Sequence, residues 1–532
     1  MNNKKTAAYF CMEYGLNAKF NIYSGGLGIL AGDILKAAYD LKAPMVALGI
    51  LWRQGYTKQV IDENGKPMDC FSEYKYKFLK DTGITVDVNI KSDIYRLKVW
   101  LCDCLNNVNL YLLDANVEGN PNRLITGQLY GWFNEERIAQ EIILGIGGIK
   151  VLRKLNINPD IYHFNDSHPM FAAFELINEY MSEDIGFSEA FNKVKNKIIF
   201  TTHTPVKAGN EVHSHELLKY MGAYNGLSQE QVSFIGGDPF NMTVAGLRLS
   251  KISNAVSKLH SKTANEMWKD VENSSQIISI TNGVHNKTWQ DDRIIKAFND
   301  NKNLLNIHQK IKKEMIDEIY ARNKIKLKEN VLTVGFARRA APYKRGNLIF
   351  TNMGIIEKLI LDNKIQLIFS GKAHPNDLEG KKIIADFYEM SKWYPDSIIF
   401  VENYDMNIGA MLTRGCDIWL NTPKRPMEAS GTSGMKAAMN GVLNFSILDG
   451  WWPEGCVHGE NGWQIGDAYM GEDRNESDSE SLYRVLMKEI VPTYYENQSK
   501  WEQMMKNSIE MSIYQFSAQR MVNDYYNKMY NI

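Results

Sequence analysis

Apolar residues fall in short β-rich runs separated by longer stretches of helical period, and this alternation repeats along most of the chain. In the first half Ala7–Met12, Met45–Leu51, Tyr95–Leu101, Val108–Leu113, Ile161–Phe164, Ile198–Thr202 and Ile277–Ile280 read as strands. Between several of them lie helix-period segments, of which Glu135–Leu155 (EERIAQEIILGIGGIKVLRKL) is the clearest. Strands separated by helices predict βαβ units and a mostly parallel sheet. The second half repeats the rhythm, with strands over Val331–Phe336, Gln366–Ser370, Ser397–Val401, Asp417–Leu420 and Val442–Ile447 and helical spacers over Leu348–Asp362 and Leu378–Trp393. The pattern predicts an α/β protein of two Rossmann-like, doubly wound domains, residues 1–300 and 301–532, divided within the charged helical stretch Asp291–Leu327. An amphipathic, aromatic-rich helical tail from Ser479 to Tyr530 completes the second.

A length of 532 residues agrees with two or three domains. Lys+Arg number 61 and Asp+Glu 62, and no basic stripe of five residues occurs, which argues against a nucleic-acid partner. No segment approaches the roughly 18 apolar residues of a membrane span, and the first apolar run is broken by Glu13, too early for a signal peptide. Six scattered cysteines in apolar context suit reduced thiols, so a cytoplasmic location is expected. His213-Ser214-His215 suggests a metal only weakly, and no metal is assigned.

The stretch most dense in candidate chemistry is Glu428-Ala429-Ser430-Gly431-Thr432-Ser433-Gly434-Met435-Lys436. Its glycines and hydroxyl residues lead into a helix start, the usual build of a phosphate cradle. Lys436 then falls in a first helical turn, where a cation opposes the macrodipole unless an anion lies beside it or the amine is uncharged. Either condition suits a lysine that covalently anchors a phosphate-bearing aldehyde cofactor. A solvated lysine after a glycine-rich turn is the plainer alternative.

Three more loops follow strands. Ser24-Gly25-Gly26-Leu27-Gly28 opens a helix. Thr201-Thr202-His203-Thr204 ends a strand. Arg338-Arg339-Ala340-Ala341-Pro342-Tyr343-Lys344-Arg345 puts four cations in a βα loop. Two singly charged phosphates about 5 Å apart repel by roughly 3 kcal/mol at an effective dielectric near 20, so a site that holds both must supply cations. Asn165-Asp166-Ser167-His168-Pro169 contains the residue types of a hydrolytic triad, but neighbours so close in sequence rarely converge as one.

EASGTSGMKAAMNGVLNFSILDG closely resembles the cofactor segment of the α-glucan (glycogen, starch, maltodextrin) phosphorylases, and the likeness extends from about Tyr9 to Trp452. That resemblance implies a GT-B-type glycosyltransferase architecture, with the two domains facing a cleft. It also implies phosphorolysis of the non-reducing terminal α-1,4-linked glucose by orthophosphate, giving α-glucose 1-phosphate with retained configuration. It implies pyridoxal 5'-phosphate on Lys436, lined by Thr432, Ser433, Gly434, Trp289 and Arg338. Arg339 and Lys344 would bind substrate phosphate, and Gly25, Gly26 and Leu27 would turn main-chain N–H groups toward it. His203 would border the reacting sugar. Asn282, Tyr343, Glu428, Ser430 and Gly431 would contact substrate, and Asp166 the acceptor subsite.

The chain departs from the family pattern at Ala341-Pro342 in the basic loop and at Trp451-Trp452 after Asp449-Gly450. It is shorter than the longer phosphorylases and is expected to lack their N-terminal regulatory extension, with no nucleotide or phosphorylation switch of that kind. A homodimer is a family expectation only. Two other readings stay open: a nucleotide-sugar glucan synthase of the same build, which has no use for Lys436, and a catalytically silent glucan-binding protein.

Overall fold

The computed structural model describes residues 4–131, 133–182, 185–467 and 474–532. The chain forms two compact units that are not consecutive segments. The first comprises Met1–Tyr56, Phe71–Thr281 and Ala518–Ile532; the second comprises Thr57–Cys70 and Asn282–Ser517.

The first unit is built on a nine-stranded sheet in the order Ile277–Ser279, Ile252–Ala255, Ile198–Thr201, Ile161–Asn165, Ala7–Phe10, Met45–Ile50, Leu110–Asp114, Asp93–Cys102, Lys80–Ile90. The first seven are parallel and the last two antiparallel. Ala7–Phe10 and Ile161–Asn165 are buried along their whole length, as strands covered on both faces must be. The order reverses between these two, so the loops that leave their carboxyl ends flank the switch point where such sheets bind ligands. The expected helix Glu135–Leu155 forms, with a π-helical turn over Ile143–Gly147. A Cβ on Gly145 would lie 2.6 Å from the Ala172 nitrogen, so this glycine lets the helix meet its neighbour closely.

The second unit carries a six-stranded, wholly parallel sheet in the order Ile398–Val401, Ile365–Ser370, Leu332–Ala337, Ile418–Asn421, Leu443–Ile447, Gly462–Ile465. In chain order this is 3-2-1-4-5-6, the dinucleotide-fold arrangement, with its switch point between Leu332–Ala337 and Ile418–Asn421. The cationic loop from Arg338 leaves one of these strands, and the segment leading to Glu428 leaves the other.

The division falls at Thr281, not near residue 300. Asp291–Leu327 reads as a linker because its outer face is charged, yet helix Leu304–Asn323 buries Leu304, Ile311, Met315, Ile316 and Ile319 in the second unit. Lys312 Nζ lies 2.5 Å from Asp417 Oδ2, and His308 Nε2 lies 3.0 Å from Asp417 Oδ1, which ties the helix to the sheet. The tail is also divided. Gln498–Gln515 stays with the second unit, whereas Ala518–Tyr525 packs on helix Gly26–Asp40 of the first. There the Tyr530 hydroxyl meets His163 Nδ1 at 2.5 Å.

Candidate active site

In the second unit, Glu428 is buried between two cations, with Lys344 Nζ at 2.5 Å and Arg338 at 3.0 Å. Burial pushes its carboxyl upward, but the charges of Arg338 and Lys344 overcome this and hold it down at about 2. Arg338 also bonds Asn421 Oδ1, whose amide donates to Ser446 Oγ at 3.1 Å, so the guanidinium is fixed to both central strands. Arg338, Arg339 and Lys344 together line a small recess with Ser370 and Gly371. The Lys344 amine lies 4.6 Å from the Tyr343 ring centroid, and Pro342–Lys344 forms a 3₁₀ turn that begins at the departure from the family pattern.

The Glu428–Lys436 segment is strapped to the residues after strand Leu443–Ile447. Asp449 accepts from the Glu428 N–H at 2.9 Å and from the Gly450 N–H at 2.8 Å, and the Trp451 N–H donates to the Ser430 carbonyl at 2.9 Å. Burial pushes the Asp449 carboxyl up to about 7, despite these bonds. Gly450 has φ +57°, and a Cβ there would lie 2.2 Å from the Ser430 oxygen, so no side chain fits. Trp451 and Trp452 are both buried. Trp451 packs edge-on against Phe516 and closes against Gly434, where an added Cβ would come within 3.0 Å of its ring nitrogen.

Ser433–Ala438 forms the short helix, with Thr432 at its N-terminus. Ser433 Oγ accepts from Trp419 Nε1 at 3.1 Å, which leaves its own proton to donate. Lys436 is buried, with its amine 3.5 Å from the Trp289 ring centroid. Among the described residues, Ser430 Oγ is buried without a hydrogen-bond partner. A sequestered amine on an aromatic face, a hydroxyl-rich helix start and a buried hydroxyl awaiting a partner are a donor set that fits pyridoxal phosphate and a sugar. Gly431 takes φ +83°, and Asn282 is buried where the chain enters this unit.

The first unit gathers carboxylates and neutral histidines. Glu13, three residues past strand Ala7–Phe10, accepts from the Ser24 N–H, the Gly25 N–H and the Tyr130 hydroxyl, at 2.5, 3.2 and 2.5 Å. This fixes the Ser24–Gly28 loop at the start of helix Gly26–Asp40, whose first turn includes Gly26 and Leu27. A Cβ on Gly25 or Gly26 would meet nothing within 4 Å, so both have open space beside them, and Leu27 packs against the core of its own unit.

Asp166, at φ +71°, accepts from the Ser167 N–H at 2.8 Å, and burial pushes its carboxyl up to about 6. His203 Nε2 meets Asn165 Oδ1 at 2.7 Å, which makes Nε2 the donor and leaves Nδ1 to accept. Burial pushes the His203 and His168 imidazoles down to about 3, so both are neutral near pH 7. Asp166, Ser167 and His168 make no relay, since the Asp166 bond is to backbone.

Sequence reasoning passed over Glu13, Asn421 and Asp449. Each lies just past, or at the end of, a central strand, so the rule that ligands gather at strand carboxyl ends was the signal that pointed to them.

Two doubly wound sheets, one with a cationic loop and a buried lysine at its switch point, define an α/β enzyme of the glycosyltransferase class. Residues 290–452 match the carbohydrate phosphorylase family model, and residues 17–273 match that of the starch synthase catalytic domain. The chain is 41% identical to a maltodextrin phosphorylase of Thermococcus litoralis over 98% of this chain and 70% of the relative. It is 36% identical to a glycogen phosphorylase of Aquifex aeolicus, over 99% and 86%. It is 35% identical to an uncharacterized protein of Methanocaldococcus jannaschii, over 99% and 100%. The chain belongs to the α-glucan phosphorylase family. No helix among the described residues is long and apolar enough to cross a membrane.

Proposed function

We propose that this protein is a pyridoxal-phosphate-dependent α-glucan phosphorylase. It transfers the non-reducing terminal α-1,4-linked glucose of glycogen, starch or maltodextrin to orthophosphate and releases α-glucose 1-phosphate with retained configuration. The observation that carries this reading is the buried Arg338–Glu428–Lys344 cluster at the switch point of a unit that also buries Lys436.

Arg339 and Lys344 bind orthophosphate and stabilise its charge as the glycosidic bond breaks. Glu428, kept ionised, accepts from sugar hydroxyls, and Asn282, Tyr343, Ser430 and Gly431 pair with others. Such pairing rejects analogues that lack a hydroxyl. His203, neutral and held by Asn165, orients the sugar and is no proton donor near pH 7. Gly25, Gly26 and Leu27 turn N–H groups toward the anion, and Asp166 lines the acceptor subsite. Lys436 would hold pyridoxal phosphate, with Trp289 on one side, Thr432, Ser433 and Gly434 at its phosphate and Arg338 beside it. When bound, that group supplies a phosphate able to exchange a proton with substrate phosphate. The expected setting is a cytoplasmic enzyme, with a homodimer as the assembly that light scattering checks.

Borohydride reduction of protein supplied with pyridoxal phosphate, followed by peptide mapping, tests the reading at its centre. A label on Lys436 together with phosphate-dependent release of glucose 1-phosphate from maltodextrin is expected. An unlabelled Lys436 overturns it. The match of residues 17–273 to the starch synthase domain favours a nucleotide-sugar glucan synthase as the second reading. Glucan elongation from a sugar nucleotide without phosphate would establish that instead.

A further inference from the structure

Two carboxylates stand beside His213, one a near neighbour in sequence and one brought by the fold. Glu141 comes from helix Asn134–Ile142, and Glu211 lies just before His213. One ligand atom from each of the three lies within 4.8 Å of the other two. Glu141 is fully buried, and His213 is 7% exposed. Among the described residues, both Glu141 oxygens, Glu211 Oε2 and His213 Nε2 have no hydrogen-bond partner. His213 Nε2 stands 3.8 Å from Glu141 Oε2. His215 is not part of the group: its ring nitrogens engage the Tyr224 hydroxyl at 2.7 Å and the Gly237 carbonyl at 2.8 Å.

Arg137 is the cation at hand. It bonds Glu211 Oε1 at 2.7 Å and stands 3.5 Å from Glu141 Oε1. One guanidinium faces both carboxylates, Glu141 buried and Glu211 half-buried, and the Arg137 contact leaves Glu211 Oε2, itself a buried atom, open toward Glu141 and His213. Buried acceptors turned toward one another without a donor require a proton or a cation between them.

We propose that Glu141, Glu211 and His213 form a binding site for a divalent cation of the zinc or manganese class. Two carboxylates and an imidazole suit such ions, and the imidazole discriminates against calcium and magnesium, which prefer oxygen ligands. Atoms within 4.8 Å of one another can share a cation at about 2.0–2.2 Å from each after small side-chain rotations. Water completes the coordination. The ion fastens helix Asn134–Ile142 to the segment that runs from His203 to His213, and so stabilises the chain that carries His203.

The test strips the full-length protein with a chelator, adds ZnCl₂ or MnCl₂, removes unbound metal by gel filtration and measures retained metal and Tm. About one retained equivalent and a higher Tm are expected. Glu141→Gln and His213→Gln should each lose the retained metal, whereas His458→Gln, at an exposed histidine of the other unit, should not. X-ray absorption on the zinc-loaded wild type should show one nitrogen ligand among oxygens, a readout that does not depend on the variants folding. Wild-type protein that retains no metal overturns the proposal and leaves a proton shared by the two glutamates. Retention undiminished in folded Glu141→Gln and His213→Gln overturns it equally.

Discussion

The two units share one construction and differ in the charge each places at its switch point. The six-stranded unit sets Arg338 and Lys344 against Glu428, lines a recess with Arg338, Arg339 and Lys344, and buries Lys436. The nine-stranded unit gathers Glu13, Asp166 and the neutral imidazoles of His168 and His203. A doubly wound sheet fixes where loops converge, not what they carry. The cationic set suits phosphates, which must be held against mutual repulsion, and the uncharged or acidic set suits sugar hydroxyls, which need acceptors and fixed orientation.

If that separation holds, variants should divide by unit. The largest loss is expected from Lys436→Ala, with phosphorolysis of maltodextrin lowered by about 10³-fold or more as the anchoring amine is removed, while glucan binding persists. Activity near wild type in that variant, without added amine, would break the contrast outright. Lys344→Met should cost about 10²–10³-fold in kcat/KM for orthophosphate, the scale on which one charge-stabilising donor acts. It also leaves Glu428 with Arg338 alone, so equilibrium unfolding should report destabilisation too.

In the other unit, His203→Asn should lower activity by about tenfold, expressed in the KM for glucan and not in the KM for phosphate, since a neutral imidazole positions the sugar and has no acidic proton to transfer. A bell-shaped rate profile whose acid limb vanished in this variant would give His203 a proton-transfer role and blur the division. The smallest effect concerns Asp449. Its raised carboxyl makes folding more favourable below the unfolded value near 4, and that contribution is lost as pH rises toward about 7. Wild-type stability should therefore decline through this window by at most about 1.4 kcal/mol per pH unit, and Asp449→Asn should flatten the decline. Denaturant titrations from pH 4 to 7.5 read this directly.

The sequence determined the architecture and marked the residues that are candidates for chemistry. Short buried strands with helical spacers required parallel sheets, and the loops after them had to hold the functional groups, so Lys436, the Arg338–Lys344 run and His203 were legible as local patterns. Tertiary structure decided the partnerships. That Glu428 is the carboxylate between Arg338 and Lys344, that Asp449 braces it, and that Glu13 fastens the glycine loop all depend on which strands become neighbours. Sheet order is a long-range property that periodicity does not encode. The domain division belongs to the same class: helix Leu304–Asn323 reads as a charged linker until its apolar face is buried, and the last fifteen residues rejoin the first unit, where Tyr525, Tyr526 and Tyr530 join its core. Glu141 came within reach of Glu211 and His213 by the same route, since folding and not spacing along the chain brings its helix to that pair.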